Sequence, residues 1–275
     1  MAGLTELSSV TAAGIHWQRY GQPHAPKLLI LHGLFGSGDN WRSHAKALAS
    51  SWEVWIADMP NHGRSDRLED VHYQQVSARL WAGIDELGLD TVSIMGHSMG
   101  GKAAMAMALD RPERVDALVI VDIAPVRYPA WHRNEIAGLK AVAAAAPRGR
   151  SAADAVLSEY VDDKAVRMFL LKSWAPRGDG SYYLQVAIDV IESHYEIISG
   201  WPEPDARYDG PMLVVRGGAS EYVLPEHDAN YARHFASRQT ETITGAGHWV
   251  HAEQREAFLT MVSRFLREVG GSAGG

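Results

Sequence analysis

The sequence predicts an α/β fold in which a mostly parallel central sheet is flanked by helices and interrupted by a helical insertion. Continuous apolar runs such as 117–121 are typical of strands buried on both faces of a parallel sheet. Helix-forming segments alternate with these runs, and the alternation favours parallel strands joined by right-handed crossovers. The alternation stops after Asp122 and resumes at Met212, so the intervening segment is predicted as an insertion.

The predicted strands follow from short local patterns. Residues 15–20 alternate apolar and polar side chains, which is typical of an edge strand. The other strands are short apolar runs bounded by turn residues, as at 59–65, where proline, asparagine and glycine indicate a turn. In chain order, the predicted strands are 15–20, 27–31, 54–58, 91–95, 117–122, 212–215 and 241–244.

The predicted helices lie between these strands and within the insertion. Gly88 closes the second helix, and the third is a run of good helix formers that ends near Asp110. In chain order, the predicted helices are 41–50, 73–88, 101–110, 135–146, 152–161, 226–235 and 254–269.

Together these elements predict one core built from two stretches of the chain. Residues 1–125 and 205–269 are expected to form the core, and residues 126–204 a helical cap inserted into it. The glycine- and serine-rich residues 270–275 are predicted as a flexible tail.

The composition excludes several classes of function. The 275 residues carry a net charge of −7 without a basic stripe, so nucleic acid is not an expected partner. Because the chain has no cysteine, it has no disulfide, thiolate metal site or cysteine nucleophile, and the cytoplasm is its expected location. No apolar run approaches the roughly 18 residues of a membrane span, and residues 1–10 lack the features of a signal peptide.

The segment Gly96-His97-Ser98-Met99-Gly100 is the strongest functional signal in the chain. It lies between a predicted strand and a predicted helix, the context in which G-x-S-x-G forms a nucleophile elbow. Such a sharp turn holds the serine in strained backbone angles with its hydroxyl exposed. The flanking glycines allow neighbouring backbone to approach closely. Ser98 is therefore the predicted nucleophile.

A serine hydroxyl needs a neighbouring base, which is a histidine oriented by a carboxylate. For an elbow serine the order along the chain is serine, acid, histidine. Among the 13 histidines, His248 directly follows the last predicted strand in a glycine-rich loop, and it is the predicted base. His251 is the alternative, although a structural position at the start of the last helix also explains it.

The oxyanion that forms during acyl transfer needs backbone N–H donors already in place. One is expected from Met99, the residue after the nucleophile. The other is expected from the loop 32–35, with Leu34 preferred and Phe35 second. A plain glycine-rich turn after a strand is the structural alternative for this loop.

The position that commonly supplies the acid holds a serine. After the strand at 212–215, the spacing G-x-x-D-x-x-V places Ser220 where an aspartate is expected. Asp122 ends the preceding buried strand, at the edge of the sheet where ligands bind in such folds, and it is the preferred acid. Glu221 is the alternative acid, and a cap for the following turn is the structural alternative for Asp122.

Substrate and cofactor sites have weaker signals. Trp249, Trp131 and Trp174 are candidates to line a substrate pocket, although packing of the cap on the core explains the last two equally well. No metal is predicted, because the nearest histidine and aspartate cluster, at 58–66, has the spacing of no known ligand set. No dinucleotide cofactor is predicted either, because no G-x-G-x-x-G follows the first strand.

Several segments in one chain carry a resemblance to a known family. These segments are 32–37 (HGLFGS), 61–65 (NHGRS), 96–102 (GHSMGGK), 122–125 (DIAP), 169–173 (FLLKS) and 245–253 (GAGHWVHAE). The chain resembles the α/β-hydrolase superfamily over nearly its whole length, and more narrowly the YbfF-type bacterial esterases and their mitochondrial relatives among the abhydrolase-domain proteins. The resemblance implies the α/β-hydrolase fold and takes the acid from the DIAP segment, at Asp122. It also implies hydrolysis of short- to medium-chain acyl esters or thioesters.

Three hypotheses for function follow. The first is a cofactor-free serine hydrolase of small-molecule carboxylic esters or thioesters. The second keeps the fold and changes the chemistry to a perhydrolase, lactonase, C–C hydrolase or biosynthetic lyase. The third is a non-catalytic ligand-binding member of the fold, since a fold alone does not fix function. Nothing in the sequence indicates an oligomeric state.

Overall fold

The computed structural model describes residues 8–272 and contains one large sheet and one small one. Within that range the strands are β1 (Ser8–Ala12), β2 (Ile15–Tyr20), β3 (Lys27–Leu31), β4 (Glu53–Ala57), β5 (Val92–His97), β6 (Val115–Val121), β7 (Trp174–Pro176), β8 (Tyr182–Leu184), β9 (Met212–Gly217) and β10 (Arg238–Ile243).

Helices cover the faces of the large sheet and build the insertion. In the described range the α-helices are α1 (Arg42–Leu48), α2 (Tyr73–Glu86), α3 (Met99–Asp110), α4 (Arg133–Ala145), α5 (Arg150–Leu157), α6 (Lys164–Leu170), α7 (Ile188–Ser193), α8 (Tyr195–Ser199), α9 (Asp228–His234), α10 (Val250–Glu253) and α11 (Arg255–Ser272).

The large sheet has the strand order β1-β2-β4-β3-β5-β6-β9-β10. The pairs from β4 to β10 are parallel, and only the β1–β2 and β2–β4 pairs are antiparallel. The mostly parallel sheet predicted from the sequence is confirmed. The prediction that 15–20 forms the edge strand is wrong, because β1 pairs outside it. Four of the five residues of β1 are exposed, so it lacks the apolar pattern that would have identified it.

The core lies on both faces of this sheet because side chains alternate along each strand. In β3, Leu29 and Leu31 face one apolar cluster, and Leu28 and Ile30 face the other. The first cluster includes side chains of α2 and α3, and the second includes side chains of α1 and α11. Parallel strands covered on both faces place all their carboxyl ends at one edge, where loops of different strands can meet.

The segment between β6 and β9, which we call the cap, contains α4 to α8 and has its own apolar cluster, including Leu139 and Leu157. The cap also contains the antiparallel hairpin β7–β8, which the sequence did not predict. Strands of three residues are too short for an alternating pattern to be recognised. Lys102 of α3 lies under the cap and donates hydrogen bonds of 2.7–2.8 Å to the carbonyls of Val126, Ser199 and Gly200.

The last helix extends beyond its predicted end. Helix α11 continues to Ser272, so residues 270–272 are helical and were wrongly predicted as part of a tail. Glycine lowers helix stability without forbidding the conformation. The rest of the predicted tail, 273–275, and the N-terminal residues 1–7 lie outside the described residues. None of the helices in the range 8–272 is long and apolar enough to cross a bilayer.

Candidate active site

Ser98 lies in the sharp turn between β5 and α3. Its backbone angles are φ 53° and ψ −122°, a conformation that L-residues rarely adopt. The turn requires glycine at two flanking positions. A Cβ on Gly96 would lie 2.2 Å from the carbonyl oxygen of Gly100, and a Cβ on Gly100 would lie 2.4 Å from that of Leu31. The motif therefore holds the serine at the carboxyl edge of the sheet.

Three predicted site residues are joined by consecutive hydrogen bonds. The Oγ of Ser98 is 3.0 Å from Nε2 of His248, and Nδ1 of His248 is 2.8 Å from Oδ2 of Asp122. A carboxylate only accepts hydrogen bonds, so the ring proton of a neutral His248 lies on Nδ1. Nε2 is then free to accept the proton of the Ser98 hydroxyl. The three residues come from the ends of β5, β6 and β10 or the loops that follow them.

Asp122 is fully buried, and both its carboxylate oxygens are hydrogen-bonded. Oδ1 accepts the backbone N–H of Gly217 at 2.9 Å, and Oδ2 accepts the hydroxyl of Ser220 in addition to His248. Ser220, which stands at the common position of the acid, is thus a donor to the acid on the neighbouring strand. Glu221 is exposed, and no hydrogen bond or ion pair joins its side chain to another residue in the described part of the chain. The geometry therefore favours Asp122 over Glu221.

Tyr222 contacts the predicted base face to face. Its ring centroid lies 3.7 Å from that of His248, with 16° between the planes. The backbone of Tyr222 is also fixed, because its N–H donates to Ser220 Oγ at 3.2 Å and its carbonyl accepts the hydroxyl of Tyr128. Tyr222 was not predicted as a site residue, and no motif spacing in the sequence marks it.

The backbone N–H groups predicted to bind the oxyanion differ in whether another protein group already accepts their hydrogen bond. Among the residues that the structure describes, the N–H groups of Leu34 and Met99 have no protein acceptor, and both residues line cavities beside Ser98. The N–H of Phe35, the second choice, instead donates to Nε2 of His62 at 3.2 Å. Burial lowers the pKa of His62 to about 3, so its ring is neutral. Its one ring proton lies on Nδ1, which donates to the carbonyl of Pro60 at 2.9 Å, and Nε2 is therefore an acceptor. Phe35 is therefore excluded as an oxyanion donor in this conformation.

The other histidines near the site support the loop that carries His248. His251, the alternative base, is stacked on Trp41 with ring centroids 4.3 Å apart and makes no hydrogen bond to Ser98. His97 donates from Nε2 to the carbonyl of His248 at 2.9 Å. Burial holds the pKa of both His97 and His251 well below the usual value, so both rings are neutral.

A cleft of about 330 Å³ opens beside Ser98 and His248, between the core and the cap. Trp249 lines this cleft and packs 5.4 Å from Phe169, centroid to centroid. A smaller cavity of about 40 Å³ shares Ser98 with the cleft, and Trp131 borders it. Trp249 and Trp131 therefore border cavities that also contain Ser98, as expected for residues that line a substrate pocket.

Trp174 does not belong to this pocket. It is buried in the apolar cluster of the cap, where its indole N–H donates to the carbonyl of Pro147 at 3.2 Å. Its ring packs in the apolar cluster of the cap, whereas the alternative that the sequence left open was packing of the cap on the core. Within the described residues, no group of three or more histidine, aspartate or glutamate side chains is arranged to hold a metal ion.

Comparisons with known proteins identify the family of this chain. The family model for the alpha/beta hydrolase fold matches residues 26–254. The sn-1-specific diacylglycerol lipase ABHD11 of Mus musculus is 38% identical over 90% of this chain and 82% of its own length. The esterase YbfF of Escherichia coli K12 is 36% identical over 88% of this chain and 93% of its own.

A solved structure has a similar overall fold. A marine microorganism esterase superposes with a TM-score of 0.88, is 35% identical, and covers 93% of this chain and 100% of its own. The match of the family model and the level of identity to these relatives lead to one conclusion: this chain belongs to the alpha/beta hydrolase fold family.

Proposed function

We propose that this protein hydrolyses carboxylic esters of small molecules through an acyl-enzyme formed on Ser98. The observation that carries the proposal is the pair of hydrogen bonds of 3.0 and 2.8 Å that joins Ser98, His248 and Asp122. The relatives named esterase and diacylglycerol lipase support the same class of reaction.

Acylation begins when Ser98 Oγ attacks the ester carbonyl while Nε2 of His248 takes the hydroxyl proton. Asp122 then faces an imidazolium, which its carboxylate stabilises across the 2.8 Å hydrogen bond. The tetrahedral oxyanion is bound by the N–H groups of Met99 and Leu34. Removal of one such donor typically costs about 10²–10³ in kcat. Collapse of this intermediate expels the alkoxide or thiolate, which receives the proton from His248.

Deacylation repeats the same steps with water. His248 Nε2 takes a proton from a water molecule whose oxygen attacks the acyl carbon, and the proton returns to Ser98 Oγ as the carboxylic acid leaves. Residues of the triad act as a unit, so loss of the nucleophile alone removes nearly all of the rate enhancement.

The cleft sets the size of the substrate that we propose. A volume of about 330 Å³ is at the lower end of ordinary small-molecule sites, and apolar side chains such as Phe169 and Trp249 form its walls. These features suit short- to medium-chain acyl groups. Thioesters belong to the same proposal, because a thiolate leaves more readily than an alkoxide. A cysteine-free chain is suited to a reducing compartment, and we place the reaction in the cytoplasm.

The direct test is steady-state hydrolysis of a series of 4-nitrophenyl and thiol esters with acyl chains of increasing length. We expect turnover that is greatest for short to medium chains and about 10⁶-fold lower in Ser98→Ala. Near-full activity of Ser98→Ala would contradict the proposal. Turnover of lactones or peroxide in place of these esters would favour the other reactions of the fold.

A further inference from the structure

A directed chain of hydrogen bonds connects the cap to the cleft. The backbone N–H of His132 donates to the hydroxyl oxygen of Tyr195 at 3.1 Å. In the described part of the chain, Nδ1 of His132 is the only acceptor within reach of the Tyr195 hydroxyl proton, so Tyr195 donates to it at 2.6 Å. Burial lowers the pKa of His132 to about 4, so its ring is neutral near pH 7. The single ring proton of His132 therefore lies on Nε2.

This series of hydrogen bonds ends at the hydroxyl of Tyr222, whose own proton is not used in it. Nε2–H of His132 points to the Tyr222 hydroxyl oxygen at 3.4 Å. Burial raises the pKa of Tyr222 above its usual value, so the hydroxyl remains protonated. Over residues 8–272 that hydroxyl proton has no protein acceptor, and Tyr222 lines the cleft together with Ser98. The cleft thus contains a fixed hydrogen-bond donor next to the predicted base.

A complementary acceptor lies in the wall of the same cleft. Glu135, one turn along α4 from His132, also lines it. Its Oε2 is buried, and no hydrogen-bond partner for it exists in the described part of the chain. Buried polar atoms are normally paired, so an unpaired carboxylate oxygen in a binding cleft needs an explanation.

We infer that the cleft binds an ester in which the acyl or the alcohol half carries a hydroxyl group, which accepts from Tyr222 and donates to Glu135. This inference rests on the proposed function. A hydroxyl both donates and accepts, whereas an ammonium group cannot accept and an ether or keto oxygen cannot donate. A carboxylate substituent is excluded as well, because it has no proton to donate to Glu135.

The test compares two matched ester pairs, one for each half of the substrate. For the acyl half, 4-nitrophenyl 6-hydroxyhexanoate is compared with 4-nitrophenyl hexanoate. For the alcohol half, the monobutanoate of propane-1,3-diol is compared with propyl butanoate. We expect kcat/KM to be at least about tenfold higher for the hydroxylated ester in one pair, because a site built to bind a hydroxyl rejects the analogue that lacks it.

Variants of Glu135 and Tyr222 test whether these two side chains cause the preference for the hydroxylated ester. Glu135→Leu removes the acceptor, and Tyr222→Phe removes the donor while keeping the ring on His248. In each variant we expect the ratio of kcat/KM values to fall toward 1. Glu159→Leu, a change of the same kind at an exposed position of the cap, should retain the wild-type ratio, and melting temperatures show whether each variant is folded.

Two outcomes would overturn the inference: a wild-type ratio near 1 in both pairs, or a ratio that survives both Glu135→Leu and Tyr222→Phe. Cleavage of the unsubstituted esters in those experiments would leave the proposed function intact. Failure of the wild type to cleave any of the four esters would overturn the proposed function and, with it, the hydroxyl site.

Discussion

The hydroxyl of Ser220 donates a hydrogen bond to Oδ2 of Asp122, the same oxygen that accepts Nδ1–H of His248. The two residues follow β9 and β6, which are paired neighbours in the sheet. Ser220 stands where the acid of such hydrolases more commonly lies, and the carboxylate of Asp122 lies at the end of the adjacent strand. Ser220 and His248 therefore meet at one carboxylate oxygen of Asp122.

This relationship predicts that the acid can be exchanged between the two strands. Asp122→Ser alone should lower kcat by about 10⁴-fold, as is typical for loss of the triad acid. The double variant Asp122→Ser/Ser220→Asp should recover at least about tenfold of that loss, because a carboxylate at 220 can face Nδ1 of His248. Glu221→Gln serves as the control and should be unaffected. A double variant no better than Asp122→Ser would contradict the prediction.

The stack of Tyr222 on His248 predicts a positioning role. Tyr222→Leu removes the ring that lies 3.7 Å from the imidazole, so His248 should be less well oriented. We expect kcat on an unsubstituted ester to fall about 10- to 100-fold while KM changes little, since small misplacements at a site can cost about that much. Tyr222→Phe keeps the ring and should restore most of kcat. Equal losses in the two variants would exclude the stack as the cause.

The sharp turn at Ser98 predicts that position 100 must be glycine. A Cβ there would lie 2.4 and 2.5 Å from the carbonyl oxygens of Leu31 and His32, and backbone cannot move aside as a flexible side chain can. Gly100→Ala should therefore destabilise the fold by about 1–3 kcal/mol, the usual cost of overpacking, and lower kcat. Gly178→Ala, where nothing lies within 4 Å of an added Cβ, is the matched control for thermal unfolding. Equal melting temperatures for the two variants would contradict this account.

Lys102 predicts a stability that rises with pH. Burial lowers its pKa from 10.5 to about 7, whereas the unfolded chain keeps the ordinary value. On losing a proton, the Lys102 amine keeps two N–H donors for the three carbonyls that it contacts. Between about pH 7 and 10.5 the unfolded state thus binds more protons than the folded state, so this group increases the free energy of unfolding as pH rises. The slope is at most about 1.4 kcal/mol per pH unit.

Urea unfolding of the wild type and Lys102→Met at several pH values between 7 and 10 measures this contribution. Subtracting the two curves removes the contributions of the groups common to both proteins. We expect the wild type to gain stability relative to Lys102→Met as pH rises. A difference that is constant with pH, or that shrinks, would show that Lys102 does not titrate in this range.

Sequence patterns predicted the parts of this molecule that depend on local order along the chain. The elbow at Ser98 is fixed by its neighbours, and the long apolar runs of the parallel strands are visible without tertiary contacts. The positions of β1, β7 and β8 were missed because exposed or three-residue strands leave no clear pattern.

The side chains that the cap brings to the site could not be predicted in the same way. Glu135 and His132 of the cap are distant in sequence from Ser98 and carry no motif, and their roles depend on how the cap packs on the core, where Tyr222 contacts His132. Trp174 was predicted as a candidate to line the pocket but packs in the apolar cluster of the cap. The sequence does not distinguish these two positions for a tryptophan in the cap. Ser220 was noticed only as the wrong residue for an acid, although its hydroxyl binds the acid that is present.

The central claim is that His248 and Asp122 activate Ser98, and reaction with a fluorophosphonate tests it without knowledge of the substrate. In that reaction the serine oxygen bonds to phosphorus, fluoride leaves, and the hydroxyl proton passes to His248. Intact mass should show one adduct on the wild type, none on Ser98→Ala, and strongly slowed labelling of Asp122→Asn. Adduct formation on Ser98→Ala, or unchanged labelling of Asp122→Asn, would contradict this assignment of nucleophile and acid.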